Sequence, residues 1–134
     1  MPTSEIVYQG DLRTSCIHIQ SGTQILTDAP TDNHGKGEAF SPTDLVATAL
    51  GSCMVSIMAI KSKDLELDLE NSTVEVTKIM QAEPRKISRI EVVLNMTIET
   101  TEKNKIILER AAMHCPVLLS LHPDIEKEVV FNWK

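Results

Sequence analysis

SPTDLVATALGSCMVSIMAIKSK, residues 41–63, is the stretch on which the fold turns. Ser41 can cap a helix, because its hydroxyl accepts one of the backbone N–H groups that a first turn leaves unpaired. Pro42 suits the first helical position, where a missing N–H removes no bond, and Asp44 stands where its carboxylate can reach back to the cap. These signals predict a helix over 42–63. Leu45, Val46, Leu50, Met54, Val55, Ile57, Met58 and Ile60 cover every face of it rather than one stripe, so it is expected to be buried all round. At 1.5 Å per residue such a helix is about 33 Å long, close to the diameter of a small domain. A chain of 134 residues has little left to enclose it, and a second subunit would complete the burial.

Upstream, the β-prone runs IVYQ, RTSCIHIQ and TQILT are separated by the turn pairs Gly10-Asp11 and Ser21-Gly22, which reads as a three-strand meander over 6–28. Residues 29–39, APTDNHGKGEA, have almost no apolar content and form a loop long enough to carry function. Downstream, NSTVEVTKIMQAE and KISRIEVVLNMTIE flank a turn at Pro84-Arg85. In the second of these, Ile90, Val92, Leu94, Met96 and Ile98 alternate with Arg89, Glu91, Val93, Asn95 and Thr97, the pattern of a strand with one wet face. An amphipathic helix is expected from Thr101-Glu102 to about His114, a short helix over PVLLSL after Cys115-Pro116, and a closing strand in EVVFNW. The order βββ, α, ββ, αα, β makes a single domain over 1–134 of α+β class with a mostly antiparallel sheet.

Composition removes several classes of function. With 13 Lys+Arg against 19 Asp+Glu the formal charge is −6, which repels a phosphate backbone, and 3% aromatic residues leave no stacking platform, so no nucleic-acid partner is expected. The apolar run from Leu45 to Ile60 is broken by Thr48, Gly51, Ser52 and Ser56 and falls short of the ~20 residues a bilayer span needs, so no membrane crossing is expected. MPTSEIVYQGDLR lacks the basic and apolar regions of a secretory signal, which predicts a cytoplasmic address. Cys16, Cys53 and Cys115 are too few for a disulfide scaffold and read as thiols in a reducing compartment.

The chemistry therefore rests on these cysteines. A single cysteine inside an apolar helix, as Cys53 is, is most often packing. To react it needs a cation, because the thiolate is the nucleophile, and Arg13, Arg85, Arg89 and Arg110 are the candidates. Cys115 precedes Pro116 at a helix start, where unpaired N–H groups favour a thiolate, so local physics ranks it above Cys53 for ionisation. Cys16 shares one strand face with His18 and reads as a small half-buried residue. His114, Cys115 and His122 cluster, but no CxxC pair or HExxH accompanies them, and no metal is expected. A Cys-His hydrolase through Cys115 would need His114 or His122 as its base. Gly35-Lys36-Gly37 lies within a loop rather than after a strand, so no phosphate cradle and no nucleotide cofactor are expected.

Taken together, FSPTDLVATALGSCM (residues 40–54), HCPVLLSLHPDIEKEVVFNW (114–133), the opening YQGDLR and the loop LTDAPTDNHGKG resemble the OsmC/Ohr family, the osmotically induced protein C and organic hydroperoxide resistance proteins. The resemblance is to the OsmC-like branch. It implies an intertwined homodimer whose sheets wrap around long buried central helices. It also implies a cofactor-free, cysteine-based organic hydroperoxide reductase of oxidative stress defence. Cys53 would attack the peroxide and become a sulfenic acid, Cys115 would resolve it as a Cys53–Cys115 disulfide, and a dithiol reductant, lipoyl-type compounds included, would restore both. Arg13 aligns with the arginine that activates the first cysteine in the family. The family's hydroperoxide reductases carry a glutamate at the position that is Thr43 here, which leaves open an alternative: a non-enzymatic OsmC-like dimer that binds a small apolar or thiol-reactive ligand.

Overall fold

The structure, a computed structural model, describes residues 1–134, which divide into two compact units, Met1–Val46 and Ala47–Lys134. The first unit holds the expected meander. Strands β1 (Ser4–Gly10), β2 (Arg13–His18) and β3 (Gln24–Asp28) form an antiparallel sheet in that order. Gly10, Asp11 and Leu12 all take positive φ in the β1–β2 turn, and the register slips between Tyr8 and Gly10, so that Gly10 faces Arg13. Across the next hairpin Arg13 lies opposite Asp28. The loop that follows folds into a 3-10 turn at Thr31–Asn33 and reverses at His34, whose φ is 66°. Its ends are tied to β3: the Asp28 N–H donates to Phe40 O at 3.1 Å, and the Gly37 N–H to Ala29 O at 3.3 Å.

Helix α1 runs Pro42–Asp64, one residue longer than expected. It starts as the sequence dictates: the Asp44 N–H donates to Ser41 Oγ at 3.1 Å, and the Ser41 N–H donates to Asp44 Oδ2 at 3.0 Å. The two bonds satisfy two backbone donors reciprocally, which fixes where the helix begins.

In the second unit the rest of α1 packs with β4 (Thr73–Gln81), β5 (Lys86–Asn95), α2 (Glu102–Ala112), α3 (Pro116–Ser120) and β6 (Glu126–Asn132). The sheet order is β4-β5-β6, antiparallel between β4 and β5 and parallel between β5 and β6. A parallel pair needs a crossover, and α2 and α3 supply it. The six strands thus form two sheets of three. Strand β5 is central, and its Ile87, Ile90, Val92 and Leu94 are all buried, as is Met96 just beyond its end. A register shift opposite Ile79 and Met80 inserts Ser88, which brings Ile87 and Ile90 to the same face despite their odd spacing. On the wet face Arg89 pairs with Glu91, Glu126 and Glu128.

The burial of α1 differs from the expectation of an all-round buried helix. In this chain Ala47, Leu50, Gly51, Met54, Met58 and Ser62 are buried, one stripe at helical spacing, whereas Ile60 is 65% exposed. By length and apolarity, with a mean hydropathy of 1.7 over 18 residues, α1 also suffices to cross a bilayer, more than its broken apolar run suggested. Here its stripe enters the core with Ile90, Val92 and Leu94 of β5 and Leu108 and Ala112 of α2.

Gly51 sets how near α1 comes to the sheet. A Cβ at this position would lie 2.6 Å from Val76 Cγ2 and 3.1 Å from Val74 Cγ1, both on β4. Gly51→Ala improves helix propensity by about 1 kcal/mol. Yet its methyl meets a β-branched side chain with little freedom to retreat, and overpacking a dense core costs about 1–3 kcal/mol. Chemical denaturation is expected to show a net loss of stability for Gly51→Ala and a smaller loss when the change is made in a Val76→Ala background. Equal losses in the two backgrounds would locate the close contact elsewhere.

Candidate functional site

Two of the three expected site residues are brought together in the second unit. Cys53 lies in the middle of α1, half-buried, and packs against the core; Cys115 belongs to that core and is fully buried. Both are free thiols, and they are neighbours. Cys115 is also the N-cap of α3: its extended backbone precedes Pro116 at the first helical position, and Sγ accepts the Leu118 N–H at 3.3 Å. The spacing Cys-Pro-Val-Leu therefore does two things. It starts a helix and holds one sulfur at a fixed place beside α1.

The protonation of Cys115 departs from the reading of its local sequence. A helix start was expected to favour its thiolate. Instead burial pushes the thiol above its ordinary value, because an ionised sulfur would lose its water. The Leu118 N–H pulls the other way, and the neighbouring Cys53 thiol adds to the upward shift. Helix α3 has only five residues, so its dipole cannot match the desolvation of a group with no exposed surface.

Arg13, the third expected residue, is in the first unit at the start of β2. Its Nε donates to Asp28 Oδ1 at 2.7 Å, Nη2 to Asp28 Oδ2 at 2.8 Å, and Nη2 again to Glu38 Oε1 at 3.1 Å. The bidentate fork, followed by Coulomb attraction, holds the Asp28 carboxyl below the usual carboxylate range, and it holds the Arg13 guanidinium well above its own. Asp28 was not singled out from the sequence. The hairpin turn at Ser21-Gly22 is the signal that could have found Asp28, since it sets the register that places Asp28 opposite Arg13.

The other candidates are engaged differently. Arg89 is held by three glutamates on the outer face of β5, and Arg110 is exposed on α2. His114 is exposed with Nδ1 at 2.8 Å from Arg110 O, and exposed His122 accepts the Asp124 N–H at 3.0 Å. Neither histidine is a base for the fully buried Cys115 in this arrangement, which removes the basis of a Cys-His hydrolase. Cys16 sits between Ile6 and Ile25 in its sheet, with Thr14 Oγ1 at 3.7 Å. Thr43 Oγ1 lies 3.3 Å from Ser41 Oγ in the first turn of α1.

The chain as a whole has known counterparts. The family model for OsmC-like proteins matches residues 35–129, well over half of the chain. No curated protein matches. Among solved structures, a Psychrobacter arcticus protein assigned to osmotic stress induction and detoxification response is 52% identical, with a TM-score of 0.95, over 98% of this chain and 96% of that one. The organic hydroperoxide resistance protein OsmC of Legionella pneumophila shares the fold at 15% identity, with a TM-score of 0.76 and 98% of each chain covered. An OsmC-like protein of Mycoplasma pneumoniae does so at 15% identity and a TM-score of 0.80, over 97% of this chain and 94% of that one. With the matched residues reaching from the loop before α1 to β6, and a relative sharing half its sequence along nearly its whole length, this chain belongs to the OsmC-like protein family.

Proposed function

We propose that this protein is a cysteine-based peroxidase that reduces organic hydroperoxides to alcohols, with Cys53 attacking and Cys115 resolving. The observation that carries the reading is the pair of neighbouring free thiols, Cys53 packed against one apolar core and Cys115 within it. It agrees with the family, which includes organic hydroperoxide resistance proteins.

The Cys53 thiolate displaces alkoxide from the peroxide oxygen; the alkoxide takes a proton and leaves as the alcohol, and Cys53 becomes a sulfenic acid. Cys115 then attacks the Cys53 sulfur, expelling water and closing the disulfide. A dithiol exchanges with that disulfide and returns both thiols. One hydroperoxide and one dithiol thus become one alcohol, one water and one disulfide. Arg13 is the cation assigned to the Cys53 thiolate, and the protein acts as a cytoplasmic homodimer whose second copy covers the apolar surface that Ile60 leaves open.

The alternative, a non-enzymatic dimer binding a small apolar or thiol-reactive ligand, draws on Thr43 and on an open cavity of about 530 Å³ beside the C-terminal half of α1, where Val55, Leu67 and Leu69 line it together with Lys63, Asp68 and Glu70. The two readings separate on one reaction. A single equivalent of cumene hydroperoxide added to the reduced protein is expected to yield a Cys53–Cys115 disulfide within seconds, by intact mass and peptide mapping. Cys53→Ser should abolish peroxide consumption, and Cys115→Ser should allow one turnover that leaves Cys53 as a sulfenic acid trappable with dimedone. Turnover that survives Cys53→Ser would end the peroxidase reading.

The upward shift of Cys115 adds a pH dependence to the second step. A thiol raised above its ordinary value stays protonated through neutrality, and its thiolate fraction grows as pH climbs through and beyond about 8.5. Disulfide closure, followed by quenched mass spectrometry after a fixed pulse of peroxide, should therefore accelerate steadily on the alkaline side. A closure rate that is flat from pH 7 to pH 9, about the ordinary thiol range, would mean that Cys115 is ionised before it attacks.

A further inference from the structure

Helix α3 has five residues, too few for a helix to sustain itself, so it depends on what ties it down. Val117, Leu118 and Leu121 pack against the core that contains Cys115, while Leu119 is 70% exposed. Along the turn the Leu119 N–H donates to Cys115 O and the Leu121 N–H to Val117 O, both at 3.1 Å, and Ser120 Oγ donates to Pro116 O at 2.8 Å. At the start the cap is the Cys115 sulfur, which accepts the Leu118 N–H. The same sulfur closes the disulfide proposed above, so it has two partners to serve. A thiol can turn about its Cα–Cβ bond to reach Leu118, whereas a disulfide sulfur takes its place from the bond to its partner cysteine.

We propose that α3 is a redox-released strap: the reduced Cys115 sulfur fastens it through Leu118, and closing the Cys53–Cys115 disulfide withdraws that cap and loosens the helix. This rests on the pairing of the two cysteines made above. In the step that releases the strap, Cys53 and Cys115 each give up a thiol hydrogen, the hydroperoxide becomes alcohol and water, and the new bond joins the two sulfurs. A dithiol reverses it, becoming a disulfide itself and returning both thiols. The change at α3 is local. The Leu118 N–H loses its acceptor and turns to water, because a helix start leaves its first N–H groups without partners of their own. A segment with so few internal bonds opens readily once one is removed. Helix α2 has a separate cap, Thr101, and β5 is bonded to a strand on each side, so both stay closed. The timing suits the chemistry. Cys115 has no exposed surface while it is a thiol, and solvent gains a path to its sulfur only in the oxidised state, when a dithiol has to reach it.

Amide exchange at Leu118, Leu119 and Leu121, followed residue by residue by NMR, reads the strap directly. The disulfide is made with diamide, which takes the two thiol hydrogens and becomes a hydrazine, so the measurement needs no peroxidase activity. Peptide mapping checks the pairing. Loss of one helix cap predicts exchange about fivefold faster at these amides in the oxidised protein, with Leu108 of α2 and Val92 of β5 unchanged. Two variants separate the cap from any strain in the disulfide. Cys115→Ala has neither, and in reductant it should exchange as fast as the oxidised wild type. Cys115→Ser keeps an oxygen cap and cannot form the disulfide, so it should stay slow after diamide. An oxidised protein that carries the Cys53–Cys115 disulfide and exchanges at or below the reduced rate overturns the proposal, and so does slow exchange in Cys115→Ala; should that variant not fold, the oxidised wild type decides alone. A disulfide that cumene hydroperoxide forms within seconds while α3 stays closed strikes this inference and leaves the peroxidase reading standing. A strap that loosens with diamide in a protein that cumene hydroperoxide does not oxidise does the reverse. Diamide that fails to join Cys53 to Cys115 removes their pairing and this inference with it.

Discussion

Everything at the thiol pair follows from the dryness of the core that α1 and β5 close between them. Leu50, Met54 and Met58 on one side and Ile90, Val92 and Leu94 on the other have no exposed surface, and Cys115 sits among them. Such a place tolerates a neutral thiol and penalises an ion. The sulfur at the edge and the sulfur inside are therefore not equivalent, although the same few residues pack both. Cys53, half-buried, is the one a reagent from solution can meet. Cys115, capped onto Leu118 and protonated, is held ready beside it. In the proposed reaction this difference in burial would set the order of events, and it arises from apolar side chains that take no part in the chemistry.

Local signals in the sequence were legible because the physics behind them is local. The reciprocal bonds between Ser41 and Asp44 need nothing beyond one turn of chain, and α1 starts where they place it. Alternation in β5 was readable for the same reason, apart from the extra Ser88, which no period of two anticipates. Parallel pairing of β6 with β5 was not legible, since it depends on where α2 and α3 carry the chain before it returns. The protonation of Cys115 was misjudged for a related reason. Counting donors at a helix start is a local operation, whereas depth in a core is known only once distant elements are assembled.

The same distinction governs the arginine. Arg13 could be picked out by resemblance, and the turn and the loop that hold it were visible too, yet neither showed which carboxylates they would bring to it. Ser21-Gly22 sets the first, because the turn decides that Arg13 faces Asp28 rather than Thr27. Left-handed His34 and Gly37 set the second, bending the loop so that Glu38 returns to the end of β3. A planar cation needs one well-placed carboxylate, and the chain can deliver it from any element whose end reaches the fork. Where a family shows a charged residue at one position and a member lacks it, the question to ask of the fold is which other buried acid has a donor pair aimed at it. In this chain the buried acid so placed is Asp28, which takes the bidentate bond of Arg13 from 15 residues along the chain and on the opposite strand.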